Sequence, residues 1–331
     1  MGKRIKIGQI GLAHAHGEGK MHAVRKFPEL FEVVGYSESN DEIVKMRAEK
    51  DAYKGLLRMS EEELLSKVDA VLVECEIKRL TEVAEKCIKL GKHIHLDKPT
   101  TGSVEKYTEI INMAREKGLI VQLGYMYRYN PAIMKSFDMI KNGEIGSIHT
   151  INAEMSTHHY ADSKTKMGRY KGGTMFVMGS HLIDLIVYLL GEPEKVASFF
   201  KNTGYDGIDF EDNNLAVLEY EKAIARVYAS SVEVNGWGRR QFVVCGEKGT
   251  ISILPIENDV AMTFSDMNIA HKKHYSDAKE KIDITDIPKD SRYDTMVQDF
   301  AAYINGTLEN PFTYDHEISV HKVLTQICGE N

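Results

Sequence analysis

The sequence predicts a two-domain α/β protein, in which a domain built on an open parallel sheet precedes one with a mostly antiparallel sheet. Its 331 residues suit about two domains of ordinary size. Up to about residue 120, short apolar runs alternate with helical patterns, and strands separated by helices pair in parallel. After Gly124, strand-like runs follow one another across short turns, which favours antiparallel pairing.

The first domain is placed at residues 1–123. A glycine follows two of its helices, where a left-handed cap is needed, and Ser60 with Glu63 forms a capping box that starts another. Strands are predicted at residues 5–10, 31–36, 70–73, 93–96 and 120–123. Helices are predicted at residues 41–52, 78–90 and 103–117.

The second domain is placed at residues 124–331. Histidines and lysines between residues 158 and 171 are interpreted as a solvated loop, and residues 271–274 as a charged surface run. Helices are predicted at residues 131–142, 180–190, 293–305 and 317–328. Strands are predicted at residues 195–201, 213–220, 224–234, 241–245, 249–254 and 260–264.

Composition excludes several classes of protein. Lys and Arg number 42 against 49 Asp and Glu, and the net charge of −7 argues against binding to nucleic acid or to an anionic membrane surface. Apolar runs long enough for a membrane span are absent, and the first residues are too strand-like for a signal peptide. Four scattered cysteines predict buried thiols in a reducing compartment, so we expect a cytoplasmic protein without a metal-binding cysteine pair.

A glycine-containing turn follows the first predicted strand. Glycines at positions 8 and 11 would let backbone N–H groups approach a pyrophosphate at a helix N-terminus. Ala13 and His16 occupy the second and third glycine positions of the usual motif, and His16 is bulky where close helix–strand packing needs a small residue. An ordinary strand–turn–helix corner is the alternative.

An acidic residue follows the second predicted strand. Glu38 lies 27 residues after Gly11, somewhat beyond the usual spacing of about 20. A carboxylate at this place can bind both ribose hydroxyls of NAD and repel the additional phosphate of NADP. The alternative is a solvated loop carboxylate.

The fourth predicted strand ends in Asp97-Lys98-Pro99. Side chains at the carboxyl ends of parallel strands face the crevice in which ligands bind, and Pro99 keeps Lys98 out of a helix. A lysine there can donate a hydrogen bond to a substrate hydroxyl or titrate if burial lowers its pKa.

A histidine lies in the glycine-rich segment 172–184. If this segment is helical, positions 177, 181, 184 and 188 share one face, which places His181 between the apolar stripe and the polar residues Asp184 and Tyr188. A structural histidine is the alternative. Arg128 follows the fifth strand near the crevice, and Tyr160 belongs to a segment that either lines a polyol pocket or is solvated.

Together these features resemble the glucose–fructose oxidoreductase, inositol dehydrogenase and rhizopine catabolism (Gfo/Idh/MocA) family. The similarity includes residues 68–71, 91–99 and 124–131 as well as Gly-Ser-His-x-x-Asp at 179–184. It implies a Rossmann domain, and a second domain whose large sheet often forms the oligomer interface. It also implies hydride transfer between a sugar, cyclitol or polyol and NAD, with NADP less favoured, in a homodimer or homotetramer. From the residues themselves, we expect no metal site and no binding to nucleic acid or membrane.

The resemblance assigns roles to particular residues. Lys98 and His181 would be catalytic, with Lys98 bound to the reacting oxygen and His181 exchanging the hydroxyl proton. The cofactor would contact Gly11, Leu12, Ala13, His16, Glu38, Cys75, Asp97 and Lys98. The substrate would contact Lys98, Arg128, Tyr160, His181 and Asp184.

Three departures from the family pattern leave alternatives open. Val177 stands where relatives carry the acid that orients the histidine, Glu74 and Glu76 flank Cys75 where relatives carry small residues, and His16 replaces a glycine. Carboxylates at 74 and 76 would repel a pyrophosphate if they faced it. A non-catalytic ligand or NAD sensor on the same fold is therefore one alternative. An enzyme that retains NAD and catalyses elimination or epimerisation without net redox is another.

Overall fold

The computed structural model describes residues 3–257, 260–267, 279–282 and 292–329, and the predicted surface run at 271–274 lies outside them. The described residues form two compact units. One contains residues 3–126 and 292–321, and the other contains residues 127–282 and 322–329 within the described ranges. This division differs from the expected one, since part of the C-terminal region belongs to the first unit.

A five-stranded parallel sheet organises the first unit, in the order β2-β1-β3-β4-β5. All four side chains of β3 are buried, as expected for a strand covered on both faces. The strand order reverses between β1 and β3, which is where open α/β sheets bind ligands. The strands are β1 (Ile5–Ile10), β2 (Phe31–Ser37), β3 (Ala70–Val73), β4 (His93–Leu96) and β5 (Val121–Leu123).

Side-chain caps start three helices of this unit. Asn40, Ser60 and Ser103 each accept hydrogen bonds from backbone N–H groups of the first turn that follows. The second helix ends at Arg47 instead of the predicted residue 52, because the chain turns and buries Ala52 and Tyr53 in the core. The helices are α1 (Gly17–Lys26), α2 (Asp41–Arg47), α3 (Glu61–Lys67), α4 (Leu80–Lys89) and α5 (Val104–Glu116).

An eight-stranded sheet organises the second unit, in the order β13-β12-β11-β10-β6-β9-β8-β7 within the described residues. Only the β6–β9 pair among them is parallel, so the predicted mostly antiparallel sheet is confirmed. Strand β6, which lies between β10 and β9, was not predicted from the sequence. The strands are β6 (Ile148–Glu154), β7 (Lys195–Lys201), β8 (Asn213–Glu219), β9 (Ile224–Ser230), β10 (Gln241–Gly246), β11 (Gly249–Ile253), β12 (Met262–Asp266) and β13 (Glu280–Ile282).

Three helices belong to the same unit: α6 (Pro131–Lys141), α7 (Ala161–Met167) and α8 (Ser180–Leu190). The prediction of a solvated loop around α7 is wrong. Lys164 on α7 has no exposed surface, because its ammonium lies 2.9 Å from Asp206 and 4.3 Å from the centre of the Tyr205 ring. A cation over an aromatic ring and beside a carboxylate can be buried without remaining uncompensated.

The chain ends in two further helices, α9 (Asp294–Ile304) and α10 (Tyr314–Cys328). Val297, Phe300 and Ala301 of α9 belong to the same buried cluster as Ile7 of β1, which is why this segment joins the first unit. Along the part of the chain that the structure describes, no helix combines the length and apolar character needed to span a membrane.

Candidate functional site

The turn between β1 and α1 is held tightly to the neighbouring strand end. Gly11 has a φ of +89°, and a Cβ at this position would collide with the backbone of Cys75. Only glycine satisfies both the left-handed conformation and the close approach. The Gly11 N–H donates to the Ser37 carbonyl and the His14 N–H to the Glu74 carbonyl. The turn is therefore anchored to the ends of two strands.

Glu38 at the end of β2 contacts this turn. Its Oε2 accepts a hydrogen bond from the Leu12 N–H at 2.9 Å, and its Oε1 accepts one from the Asn40 N–H at 2.9 Å. The guanidinium of Arg58 donates twice to the Glu38 carbonyl, which fixes the backbone behind the carboxylate. The structure thus brings together Leu12 and Glu38, two of the residues predicted to contact the cofactor.

Close packing between α1 and the sheet is supplied by Gly17. A Cβ at Gly17 would lie 3.0 Å from the side-chain nitrogen of Gln9 and 3.1 Å from Cβ of Glu74. His16 precedes it as the N-cap residue and keeps 25% of its side chain exposed. The expected conflict between His16 and helix–strand packing is therefore absent here, because the small residue that the contact needs follows one position later.

Beneath the turn lies a group of charged side chains that we call the Lys20 cluster: Lys20, Glu74, Asp97, His14 and His16. The Lys20 ammonium is 3.0 Å from Glu74 Oε1 and 2.8 Å from Asp97 Oδ2, and all three side chains are fully buried. Asp97 Oδ2 also lies 2.5 Å from His14 Nδ1 and 3.4 Å from His16 Nδ1. A single oxygen of Asp97 thus lies close to the nitrogen atoms of three side chains.

The pKa values of the Lys20 cluster separate its two acids. Burial, followed by the charge of Asp97, raises the pKa of Glu74. Burial would also raise the pKa of Asp97, but the neighbouring His14, Lys20 and His16 hold it well below its usual range. Burial opposes the charge of Lys20, yet the two carboxyl groups raise its pKa. The structure therefore supports an ionised Asp97 paired with an ammonium at Lys20.

The two acids beside Cys75 each face a cation. Glu74 points into the Lys20 cluster, and Glu76 forms an ion pair with Lys78 at 2.9 Å. Cys75 is 2% exposed, and burial raises the pKa of its thiol to about 12. Glu74 thus faces an ammonium. Cys75 carries a protonated thiol, and its backbone packs against Gly11.

Lys20 and His14 were not predicted as site residues from the sequence. The position of Lys20 carried a signal, since Gly17, Lys20, Met21 and Val24 follow the spacing of a buried helix face and all are buried. A lysine on such a face requires a buried acid, and the two acids come from the ends of β3 and β4.

Lys98 follows β4 in a loop that is anchored on both sides. Lys98 is only 2% exposed, and its backbone N–H donates a hydrogen bond to Asp97 Oδ1 at 2.7 Å. The peptide bond between Lys98 and Pro99 is cis. Further along, His321 Nδ1 lies 3.0 Å from the Thr100 hydroxyl, and its Nε2 lies 3.1 Å from the Gly102 carbonyl. A neutral His321 protonated on Nε2 satisfies both contacts, which fixes the loop that carries Lys98.

His181 begins α8 in the second unit, after a π-helical turn at Met175–Gly179. It is 3% exposed, and its ring meets that of Tyr127 edge-on, with centroids 5.0 Å apart. Hydrogen bonds in a π turn run from i to i+5, so the three-and-four spacing predicted from Val177 does not continue into α8. The predicted face applies from His181 onwards.

Arg128 and Asp184 form a buried ion pair in the second unit. The guanidinium donates to both oxygens of the carboxylate, with Nη2 2.6 Å from Oδ1 and Nε 2.9 Å from Oδ2. Neither side chain is exposed. The ion pair ties Arg128 to the second turn of α8, and the expected substrate contacts of both residues stay a prediction. Tyr160, another predicted substrate contact, is 85% exposed at the N-cap of α7.

Comparison with protein families identifies the class to which this fold and these residues belong. Residues 5–125 match the model of the oxidoreductase family with an NAD-binding Rossmann fold, and residues 134–252 match the Gfo/Idh/MocA C-terminal domain. Between them the two matches cover more than half of the chain. The chain belongs to the Gfo/Idh/MocA family of oxidoreductases, which confirms the resemblance seen in the sequence.

Curated relatives match at low identity. An uncharacterised oxidoreductase of Schizosaccharomyces pombe is 25% identical over 67% of this chain and 63% of its own length. The scyllo-inositol 2-dehydrogenase (NADP(+)) IolW of Bacillus subtilis is 27% identical over 45% of this chain and 42% of its own length. Inositol 2-dehydrogenase 2 of Saccharopolyspora erythraea is 27% identical over 57% and 56%. The chain thus spans about half the length of the curated relatives that it matches.

Solved structures match over almost the whole chain. UDP-N-acetylglucosamine 3-dehydrogenase GnnA of Acidithiobacillus ferrooxidans aligns with a TM-score of 0.80 at 20% identity, covering 98% of this chain and 97% of its own. The WlbA dehydrogenase of Bordetella pertussis, in complex with NADH and UDP-GlcNAcA, aligns with a TM-score of 0.77 at 18% identity, covering 98% and 94%. At such identity these likenesses support the fold.

Proposed function

We propose that this chain is an NAD-dependent oxidoreductase that transfers hydride between a carbinol carbon of a sugar, cyclitol or related polyol and nicotinamide. The contact of Glu38 with the Leu12 N–H supports this proposal most directly, because it places a carboxylate beside the glycine-containing turn at the point where the strand order reverses. The alternative of a loop carboxylate in solvent does not fit a residue that is 8% exposed.

NAD is the proposed cofactor because Glu38 is acidic. Its carboxylate can accept hydrogen bonds from the ribose hydroxyls, whereas a phosphate on the ribose would meet a negative charge in a partly buried place. Gly11, Ala13 and His16 would contribute the surface of the turn beneath the pyrophosphate. The bound cofactor supplies the hydride acceptor or donor, and the protein supplies position and electrostatics.

Lys98 and His181 are the proposed catalytic residues. Lys98 would donate a hydrogen bond to the reacting oxygen, for which the anchored loop from Asp97 to Gly102 gives it a defined position. His181 would take the hydroxyl proton or return it, a role that suits an imidazole near neutral pH. Arg128 and Asp184 would act indirectly, by holding the first turns of α8.

Names of the relatives suggest where to search for the substrate. Two curated relatives are inositol dehydrogenases, and one similar structure is a UDP-N-acetylglucosamine 3-dehydrogenase. All of these substrates carry a secondary alcohol on a six-membered ring. We therefore propose that the natural substrate presents the same group, in a free cyclitol or sugar or in a nucleotide sugar.

Cofactor binding is the first test of the proposal. The purified chain is mixed with NAD or with NADP, and its thermal unfolding is followed. NAD at concentrations well above its dissociation constant should raise the midpoint, since a ligand that binds only the folded protein stabilises it. If neither dinucleotide shifts the midpoint nor gives heat in a calorimetric titration, the proposed function is wrong.

Turnover is the second test. NADH formation is measured with inositols, aldoses and UDP-N-acetylglucosamine. With the best substrate, Lys98→Met should lower kcat by roughly 10²–10⁴-fold, the range for loss of acid–base assistance, while NAD binding changes little. Lys89→Met is the matched control, because Lys89 is exposed on α4 and pairs with Glu85. Equal rates for Lys98→Met and the wild type would remove Lys98 from the mechanism.

A further inference from the structure

We propose that His14, His16 and Asp97 form a binding site for one divalent transition-metal ion of the zinc type. Each of the three residues offers one ligand atom, and these atoms lie within 4.8 Å of one another. The site shares His16 and Asp97 with the surface proposed for the cofactor, and the proposal rests on the geometry of these side chains and not on the hydride transfer.

One separation in the cluster equals that between the ligands of a zinc ion, and another is shorter. Zinc bound tetrahedrally at about 2.0–2.1 Å keeps neighbouring ligand atoms about 3.3 Å apart. Asp97 Oδ2 lies 2.5 Å from His14 Nδ1 and 3.4 Å from His16 Nδ1. Small side-chain rotations would therefore open the space for an ion among the three groups. Two imidazoles and one carboxylate form a donor set that zinc accepts, with a fourth position left for water.

Supporting contacts hold the ligands in place. The second oxygen of Asp97 accepts the Lys98 N–H at 2.7 Å, which leaves Oδ2 directed at the histidines. The backbone N–H of His14 donates to the Glu74 carbonyl at 3.0 Å, so the turn that carries both histidines is tied to the end of β3. Metal sites depend on such contacts, because they orient the ligands before the ion binds.

The carboxyl groups of the cluster already face one cation, because the Lys20 ammonium lies 3.0 Å from Glu74 Oε1 and 2.8 Å from Asp97 Oδ2. An ion that binds Asp97 Oδ2 therefore shares this oxygen with Lys20, and Glu74 remains within reach of the ammonium as a second acceptor.

The two imidazole rings are the most exposed part of the site, although the Nδ1 atom of His16 is itself buried. His14 and His16 retain 10% and 25% of their side-chain surface, whereas the carboxyl groups behind them are fully buried. This arrangement places the imidazoles at the entrance and the acid at the base, which is the order that an ion entering from water would meet.

The test is a calorimetric titration of the EDTA-treated, dialysed full chain with Zn²⁺, without dinucleotide or substrate. We expect one equivalent of zinc per chain. Loss of a residue that only supports a metal ligand lowers metal affinity by about 10–100-fold. His14→Gln and His16→Gln remove a ligand, so each should lower the zinc affinity by more than that. His22→Gln is the matched control, since His22 is exposed on α1 and should leave the titration unchanged.

A spectroscopic measurement keeps the proposal testable if a variant folds poorly. Co²⁺ bound to the wild-type chain should give the intense visible absorption of a four- or five-coordinate site, and Zn²⁺ should displace it. Absence of stoichiometric Zn²⁺ binding, or wild-type affinity in both His14→Gln and His16→Gln, would overturn the proposal. Either outcome leaves the NAD-binding test unaffected, because that test is performed without added metal.

Discussion

At the scale of single residues, the carboxylate of Glu38 combines a structural contact with a proposed role in cofactor selection. It closes the turn after β1 through the Leu12 N–H, and it presents the acid proposed to choose between dinucleotides. Its position after β2 was visible in the sequence. Its partner Leu12 was not visible, because these two residues lie 26 positions apart and meet only when β1 pairs with β2.

Replacement of Glu38 tests the choice of cofactor. Glu38→Gln keeps an oxygen that can accept the Leu12 N–H, but it removes the charge and leaves the Asn40 N–H without this acceptor. We expect NAD affinity to fall by about tenfold or more, the value of a hydrogen bond to a charged group. NADP affinity should fall less or rise, so the preference for NAD over NADP becomes smaller. The dissociation constants of both dinucleotides measure this preference.

Glu42→Gln is the control for this prediction, since Glu42 is an exposed acid in the first turn of α2. A preference for NAD that is the same in Glu38→Gln and in the wild type would mean that Glu38 does not contact the ribose.

At the scale of elements, α1 illustrates how a helix can be tied to a sheet by charge as well as by apolar packing. Met21 and Val24 are buried in the apolar core, while Lys20 on the same face reaches Glu74 and Asp97 at the ends of β3 and β4. A buried cation with two buried acids is stable only while all partners are present, since removal of one leaves an uncompensated charge.

Lys20→Met should therefore destabilise the first unit strongly. We expect a loss of about 3–5 kcal/mol in the free energy of unfolding, the usual cost of removing one partner of a buried ion pair. Urea-induced unfolding in the presence of EDTA measures it. Lys26→Met on the same helix is the control, because its ion pair with Asp294 is partly exposed and should be worth about 1 kcal/mol or less.

The double variant Lys20→Met/Glu74→Gln should regain part of the lost stability, because the amide carries no charge. If Lys20→Met unfolds at the same urea concentration as Lys26→Met, the cluster does not contribute as the structure indicates.

At the scale of the whole molecule, buried neutral histidines link stability to pH. Burial lowers the pKa of His321 to about 4 and, together with the charge of Lys20, lowers that of His95 to about 3. Both belong to the first unit. His95 Nδ1 lies 2.8 Å from the Gln122 side-chain oxygen, and His321 bridges Thr100 and Gly102.

The sign of the effect follows from the two pKa values of each histidine. In the unfolded chain a histidine titrates near 6.5, so between pH 6.5 and 4 the unfolded state binds more protons than the folded state. The free energy of unfolding is therefore highest above about pH 6.5. It decreases as the pH falls towards 4, by about 3 kcal/mol for a histidine such as His321. Above pH 6.5 these residues should leave stability constant.

His321→Gln should flatten this decrease, since glutamine takes up no proton in that range. The measurement is the unfolding midpoint at several pH values between 4 and 7.5, in the wild type and the variant. Parallel curves would show that His321 carries the same number of protons in both states. His316→Gln, which changes a less buried histidine of α10, is the matched control.

Most elements were predictable because their signals are local. The β3 run is continuously apolar, Ser60 and Ser103 cap the helices that follow, and Gly191 ends α8. Predictions failed where a neighbour distant in sequence overrides the local pattern. Lys164 makes α7 look like a solvated loop until Asp206 and Tyr205 are placed against it. Similarly, α2 ends early because Tyr53 is needed in the core.

For the candidate site, the residue types and strand ends of Glu38, Asp97 and Lys98 were readable along the chain, as were the family and the order of its two sheets. These features follow from periodicity, glycine caps and motif spacing, which are signals within about ten residues of each position. The Lys20 cluster, the Arg128–Asp184 ion pair and the return of α9 to β1 depend on side chains tens to hundreds of residues apart. Burial of a charge requires a partner, and which partner is available is decided only when distant strands and helices pack together.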